Sequence, residues 1–393
     1  MIIKPKIRGF ICTTAHPEGC RQNVKSQIEY VKSQPKGSNK NKKVLIIGAS
    51  MGFGLASRIT AAYSNNADTI GVVFEKKGEG NKTSTSGWYN TAAFEEFAHA
   101  DGLYAKTING DAFSQEIKQQ TLDLIKKDLG KIDMLIYSLA APRRTDKDGE
   151  VYNSVIKTIG NSFTDKTIDL KTRKVSEVTI EPANEKEIHD TIKVMGGEDW
   201  KDWISFLKAN DAIEDDAITL AYSYIGPEIT HPMYLKGTIG KAKEHLYNTS
   251  KEISEEFNIK SYISVNKALV TQSSAAIPVV PLYISILYKI MKKENIHEGC
   301  IEQMCRLFNE KLNGENIITD SQNQIRLDDW EMKEDIQSQV KEIWNKINDE
   351  NIDEYSDVEG YWNDFYNIFG FGFENIDYEK DVDIDLNINS INN

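Results

Sequence analysis

The sequence predicts an α/β chain on a doubly wound parallel sheet, with an N-terminal extension, inserted hairpins and C-terminal additions. Three observations predict it. Unbroken apolar runs (VLIIGAS, TIGVVFE, KIDMLIYSLAAP) recur from residue 43, as in strands buried on both faces of a parallel sheet. Segments of helical period separate them, giving the βαβαβ order of doubly wound sheets. A glycine-rich turn joins the first run to the helix after it.

In order, VLIIGAS is a strand, GLASRITAAYS a small-residue helix and TIGVVFE the second strand. NTAAFEEFAHA reads as helix, LYAKTING as strand, SQEIKQQTLDLIKKDLG as a helix stopped by Gly130, and KIDMLIYSLAAP as the fourth strand. Between 142 and 190, VYNSVIKTI and TIDLKTRKVSEVTIEP carry β-branched, alternating residues with turns between, which places one or two hairpins outside the main sheet. VMGGEDWKDWISFLKAN resumes helix, with Trp200 and Trp203 anchoring the insert on the body. ITLAYSYIG and SYISVNKALV are later strands, and AAIPVVPLYISILY and EGCIEQMCRLFNEKL are helices. No internal repeat or long linker divides the chain. We expect one enlarged domain: an extension (1–42), a dinucleotide-binding half (43–141), an insertion (142–217), and a catalytic and substrate-binding half with an acidic tail (218–393).

With 40% hydrophobic residues, the 393-residue chain can bury a sizeable core, and its charge of -13 with no basic stripe excludes a general nucleic-acid binder. Some of that acidity lies in DYEKDVDIDLNIN, read as a fraying tail. Cys12, Cys20, Cys300 and Cys305 lack CxxC spacing and read as reduced thiols. The six histidines, His16 among them, show no paired ligand spacing, so no metal site is expected. The start MIIKPKIRGF has no long apolar run, and the most apolar segment is short and holds two prolines. We therefore expect neither signal peptide nor membrane span, and a cytoplasmic location.

The turn reads Gly48-Ala49-Ser50-Met51-Gly52-Phe53-Gly54, a GxxxGxG spacing. Glycines at such a turn allow tight reversal, close approach to a pyrophosphate and close helix packing, while the helix N-terminus offers free N–H groups to phosphate. This spacing is the short-chain dehydrogenase/reductase variant of the Rossmann-type loop. The second strand ends in Phe74-Glu75, whose carboxylate can accept the adenosine ribose hydroxyls and repel the added phosphate of NADP. Lys76 and Lys77 follow, leaving some phosphate tolerance conceivable, but NADH is the favoured cofactor. Asp111-Ala112 and Leu139-Ala140, at the third and fourth strand ends, complete the cofactor set.

Tyr234 and Lys243 are the candidate proton-donating pair, with eight residues between them. In one continuous helix they would be turned about 900° and rise about 13.5 Å, on opposite faces. Gly237 and Gly240 each weaken a helix by about 1 kcal/mol relative to alanine. Tyr234 is therefore expected on a loop, with the helix starting near Thr238 to Gly240. Lys243 can then fold back toward the phenol and the cofactor ribose, while Lys236 and Lys241 face elsewhere. The run AAIPVVPLYISILY follows the next strand and reads as a buried helix that can line an apolar ligand.

These blocks resemble the trans-2-enoyl reductases of the FabV type, including the bacterial trans-2-enoyl-CoA reductases. The resemblance runs from KPKIRGFICTTAHPEGC through GASMGFGLASRI, TIGVVFEK, VMGGEDW, YSYIGPE, TQSSAAIPVVPLY and HEGCIEQ to DYEKDV, nearly the whole chain. It implies a monomer that uses NADH to reduce the C2–C3 double bond of enoyl-CoA or enoyl-acyl-carrier-protein. It implies Tyr234 as catalytic acid, Lys243 as its cofactor-contacting partner and Tyr224 as a contact to the thioester. Leu269-Val270-Thr271 would meet the nicotinamide and phosphates. With the resemblance, AAIPVVPLYISILY is expected to line the acyl channel through Ile277 and Val280. Met51 stands where the family often has a small hydroxyl residue, which puts one phosphate hydrogen bond in doubt. A basic rim for the carrier is expected around Lys289, Lys292 and Lys293. Two rival readings are a short-chain ketone or alcohol dehydrogenase, disfavoured by the Tyr–Lys spacing, and a non-catalytic NAD sensor.

Overall fold

The structure is a computed structural model that describes residues 1–8, 11–36, 42–139, 141–312 and 317–391. Strands β1 (Ile7–Arg8) and β2 (Ile11–Cys12) form a small hairpin before α1 (Pro17–Ser33). The first wound half runs β3 (Lys43–Ile47), α2 (Gly52–Asn65), β4 (Asp68–Val73), α3 (Ser86–Ala100), β5 (Ala105–Asn109), α4 (Gln115–Leu124) and β6 (Ile132–Tyr137). The insert holds two antiparallel hairpins, β7 (Arg143–Thr145) with β8 (Val151–Asn153) and β9 (Phe163–Asp169) with β10 (Lys174–Ile180), then α5 (Glu185–Met195). The second half runs α6 (Glu198–Ala209), β11 (Ile213–Ser223), α7 (Thr238–Phe257), β12 (Lys260–Val265), α8 (Val280–Lys293), α9 (Cys300–Arg306) and β13 (Gln324–Arg326). Helices α10 (Glu334–Lys346), α11 (Ile352–Tyr355) and α12 (Val358–Ile368) follow.

Seven parallel strands pair in the order β13-β12-β11-β6-β3-β4-β5. The centre of this sheet explains the unbroken apolar run in β3. Val44 and Ile46 point into a core shared with α1, α2 and α9, while Leu45 and Ile47 point into one shared with α4 and α6. All four are 0% exposed. Alternate side chains thus enter opposite layers, and neither face tolerates a polar residue. Trp200 and Trp203 of α6 seal the second layer. Their indole N–H groups donate to Thr219 Oγ1 at 2.8 Å and to the Ala112 carbonyl at 3.2 Å.

A third core gathers around α8, with α10, α12 and the β9–β10 hairpin packed on it. The sequence analysis missed α1, which packs against α2, α3 and α9. Its buried Cys20, Val24, Ile28 and Val31 repeat at helical spacing, Pro17 stands in its first turn, and His16 Nδ1 caps it by accepting from Gly19 N. The later helices α10 and α12 were also missed.

The acidic tail does not fray, which corrects the expectation for DYEKDVDIDLNIN. Val382 and Ile388 are buried, and Ile384 and Leu386 half-buried, while the Asp and Asn between them face outward. Trp88 Nε1 donates to the Leu386 carbonyl (2.7 Å) and the Tyr89 hydroxyl to that of Ile384 (2.9 Å). Ser390 binds Glu95, and the N-terminal amine pairs with Asp381. An alternating pattern gives an extended segment one apolar face, and here that face lies on α3 and its neighbours.

Candidate active site

The first functional element forms where β3 ends. Gly48 has φ +85°, and a Cβ there would stand 2.2 Å from the Ser138 carbonyl oxygen, so the turn needs glycine to pass over the end of β6. Helix α2 then starts at Gly52, with Met51 as an N-cap whose side chain makes no capping bond and no acidic residue in the first turn. Its first N–H groups are left to a ligand. Gly52, at φ +54°, lies near Thr271, where a Cβ would stand 4.0 Å from Thr271 Cγ2. Met51 Sδ accepts from Ser86, and Phe53 packs tilted on Tyr222 at 5.8 Å between centroids. Ala49 is buried beneath the turn.

At the end of β4, Phe74 is 73% exposed, a bare aromatic face beside the loop. Glu75 turns inward. Its carboxylate accepts from Ser50 Oγ at 2.6 Å and from Thr85 Oγ1, and its backbone is clasped by Asn109 through two bonds, 2.8 and 3.0 Å. Burial pushes its pKa up, and the two hydroxyls oppose that. Lys77, left open as a phosphate partner by the sequence, is instead held by the tail, 2.9 Å from Asp385 and 2.6 Å from Asn387 Oδ1. Asp111 Oδ1 accepts from Phe113 N, Ala112 is buried, and Leu139 is half-buried over Gly48. Ala140 lies outside the described residues.

The tyrosine and lysine stand on separate pieces of chain. Tyr234 occupies a run of turns and its N–H donates to Thr230 O at 2.9 Å. The chain bends at Lys236 and Gly237, and α7 starts at Thr238. A Cβ on Gly240 would lie 2.1 Å from Leu235 O and 2.3 Å from Tyr234 O, so this glycine lets the tyrosine turn rest directly on the first helical turn. Lys243 folds back and its ammonium donates to the Tyr222 carbonyl at 3.0 Å, at the carboxyl end of β11. Burial lowers its pKa to about 8. Lys243 thus folds back toward the strand end, and among the described residues its ammonium binds the Tyr222 carbonyl rather than the Tyr234 hydroxyl. Lys241 pairs with Glu244 on the outside of α7.

Tyr224 meets Tyr234 edge to face, with centroids 4.7 Å apart and planes at 74°. Its hydroxyl donates to Glu331 Oε1 at 2.9 Å, so in this structure its one phenolic proton is given to protein. Burial, and next the Glu331 charge, raise the pKa of both tyrosines.

Leu269 and Val270 are buried after β12, with Val270 N–H bound to Tyr288 of α8 at 3.1 Å. Thr271 and Ser274 bind each other's N–H groups through their hydroxyls. Ile277 and Val280 are 5% and 2% exposed in the α8 core. Between them Val279 holds φ +72°, a strained value for a β-branched residue and a mark of functional segments. The expected basic rim is partly spent, because Lys292 pairs with Asp357 at 2.6 Å and Lys289 reaches the Asp353 carbonyl. Sequence reasoning missed Glu331, Tyr283, Lys267 and Thr85; Glu331 meets Tyr224 and Tyr283 from 107 and 48 residues away.

Fold and loop define a Rossmann-type protein of the short-chain dehydrogenase/reductase kind. Residues 82–313 match the model for the trans-2-enoyl-CoA reductase catalytic region, and residues 2–80 the NAD(P)H binding domain of trans-2-enoyl-CoA reductase. The chain is 57% identical over 395 residues to a trans-2-enoyl-CoA reductase (NADH) of Ruminiclostridium cellulolyticum, covering 100% of both chains. It is 58% identical over 398 residues to an enoyl-(acyl-carrier-protein) reductase (NADH) of Coxiella burnetii, covering 100% of this chain and 98% of that one. Its fold is similar to Clostridium acetobutulicum trans-2-enoyl-CoA reductase in complex with NADH (TM-score 0.96, 46% identity, 100% of both chains). It is likewise similar to the Treponema denticola enzyme in complex with NAD (TM-score 0.93, 50% identity, 97% and 98% of the two chains). The chain belongs to the trans-2-enoyl-CoA reductase family.

A third model, described as an enoyl reductase FAD binding domain, matches residues 319–382. That segment does not fit a flavin. It forms α10 to α12, whose Ile336, Val340, Tyr361 and Phe365 fill the core against α8, and no strand within it runs through a glycine turn into a helix. The features of a dinucleotide loop are at the first turn instead, where the α2 N-terminus has no side-chain cap and the Phe74–Glu75 strand end lies beside it.

Proposed function

We propose that the protein is an NADH-dependent reductase of the C2–C3 double bond of trans-2-enoyl thioesters. The observation that carries this reading is the convergence of an uncapped glycine turn, the Tyr234 turn and Lys243 at one carboxyl edge of the sheet. Gly48 to Phe53, Phe74, Glu75, Asp111, Ala112, Leu139, Ala140, Lys243 and Leu269 to Thr271 would hold the cofactor. Bound there, NADH supplies hydride to the β-carbon of the substrate.

Charge then builds on the thioester oxygen. Tyr234, neutral because burial and Glu331 disfavour its phenolate, donates a hydrogen bond and finally a proton toward that enolate. Lys243, while charged, favours the developing anion through its position below the strand end. Ile277 and Val280, buried in the core around α8, are the residues that would meet the acyl chain. Both an enoyl-CoA and an enoyl-acyl-carrier-protein are admitted as substrates. We further propose a monomer acting as one enlarged reductase unit, with the domain limits given above, in the cytoplasm. Among the described residues no helix is long and apolar enough to cross a membrane.

The test follows NADH oxidation with crotonyl-CoA, with a ketoacyl thioester and with neither. Oxidation that depends on crotonyl-CoA supports the reading. Oxidation that depends only on the ketoacyl thioester points to a dehydrogenase, and NADH binding without turnover to a sensor. Matched CoA and carrier-protein thioesters then rank the two carriers.

A further inference from the structure

We infer that Glu331 is the positioning residue of this site, one buried carboxylate that fixes Tyr224 against Tyr234 and ties both to the 268–271 loop. The inference rests on the reading of Tyr234 as proton donor.

Glu331 is 0% exposed. Its Oε1 accepts from the hydroxyls of Tyr224 (2.9 Å) and Tyr283 (2.6 Å), and its Oε2 from the Ala268 N–H (2.7 Å). These donors come from three parts of the chain: the loop after β11, helix α8, and the loop that leaves β12 toward Leu269, Val270 and Thr271. Gln337 braces the group by donating to the Tyr283 hydroxyl (3.2 Å) and to the Glu331 carbonyl (2.8 Å). The Lys267 ammonium, buried beside it, donates to Ala268 O at 3.0 Å and supplies compensating charge.

Burying a carboxylate costs several kcal/mol unless its oxygens are satisfied, and apolar packing would fill the same volume without that cost. A fully bonded carboxylate does what an apolar side chain cannot: it sets directions. The Tyr224 hydroxyl is held on Glu331, and its ring meets Tyr234 at 74°. The neighbouring charge also disfavours ionisation of Tyr234, which keeps the phenol a donor. Glu331 therefore acts on the reaction through Tyr224 and does not itself touch the reacting atoms.

A double-mutant cycle tests this, measuring kcat and KM with crotonyl-CoA and the NADH dissociation constant by fluorescence. Glu331→Gln keeps the shape but puts an N–H2 against either the Ala268 N–H or the Tyr224 and Tyr283 hydroxyls. It is expected to lower kcat about tenfold or more, leaving NADH affinity within about twofold. Tyr224→Phe is expected to lower kcat in the same way, and adding Glu331→Gln to it should cost little more. Multiplying losses in the double variant, or an unchanged kcat in Glu331→Gln, would overturn the inference. If Glu331→Gln does not fold, Tyr224→Phe alone decides, since full turnover there overturns it and a kcat loss at constant NADH affinity supports it. Tyr234→Phe separates the two levels: retained turnover there breaks the donor reading itself, whereas its loss beside a silent Glu331→Gln breaks only this inference.

Discussion

The Lys243 ammonium donates to the carbonyl oxygen of Tyr222 at 3.0 Å, so the start of α7 is folded back against the carboxyl end of β11. The glycines at 237 and 240 make this possible, because a continuous helix would carry Lys243 away from the Tyr234 side.

A pH dependence follows from that burial. Lys243 has its pKa lowered to about 8 by desolvation, so its charged form predominates below that value and is lost as pH rises through it. kcat/KM, which reports the free enzyme, is expected to fall on the alkaline side with an apparent pKa near 8. Lys243→Met should be slow at every pH and lack this limb. A limb unchanged in that variant would assign it to another group.

Coenzyme choice is expected to depend on Glu75. The carboxylate is fixed by Ser50 and Thr85, while Lys77 is paired with Asp385 of the tail. A charge of the same sign as a ribose phosphate, held a few ångströms away, disfavours it by about 1–4 kcal/mol. Glu75→Gln should therefore raise kcat/KM for NADPH about tenfold or more relative to NADH. Equal ratios for the two proteins would remove Glu75 from the selectivity.

The tail should stabilise the fold. Ile388 is 1% exposed beside Trp88 and Tyr89. Ile388→Ala is expected to lose about 2–5 kcal/mol, seen as a lower denaturation midpoint, whereas Asp383→Ala on the outer side should change it by less than about 0.5 kcal/mol. Equal, small effects for the two would mean the tail is not docked in solution.

Much of the fold was legible because β3, β4 and β6 are buried on both faces and leave apolar runs that no amphipathic helix would show. The β9–β10 hairpin was legible from alternation and β8 in part, whereas β7 (Arg143–Thr145) fell outside the segments read; the start of α7 was legible from two glycines. The tail was misread because acidic residues dominate its composition, although its Val, Ile and Leu alternate with strand period. Helix α1 was passed over despite its Cys20, Val24, Ile28 and Val31 spacing. Residues inside contiguous motifs, such as Gly48 to Phe53, could be proposed from sequence. Glu331 could not, because it meets Tyr224 across 107 residues and only the packing of α8 and β12 brings them together. Tyr224 was singled out, but its hydrogen-bond direction depends on that same unseen partner.

The most direct test is single-turnover reduction of crotonyl-CoA by pre-bound NADH in the parent chain and in Tyr234→Phe. Loss of one hydrogen-bond donor to a developing oxyanion typically lowers the rate about 10²–10³-fold, or roughly 2.7–4 kcal/mol. The account predicts that loss with an unchanged NADH dissociation constant. Reduction at the parent rate in Tyr234→Phe would contradict it.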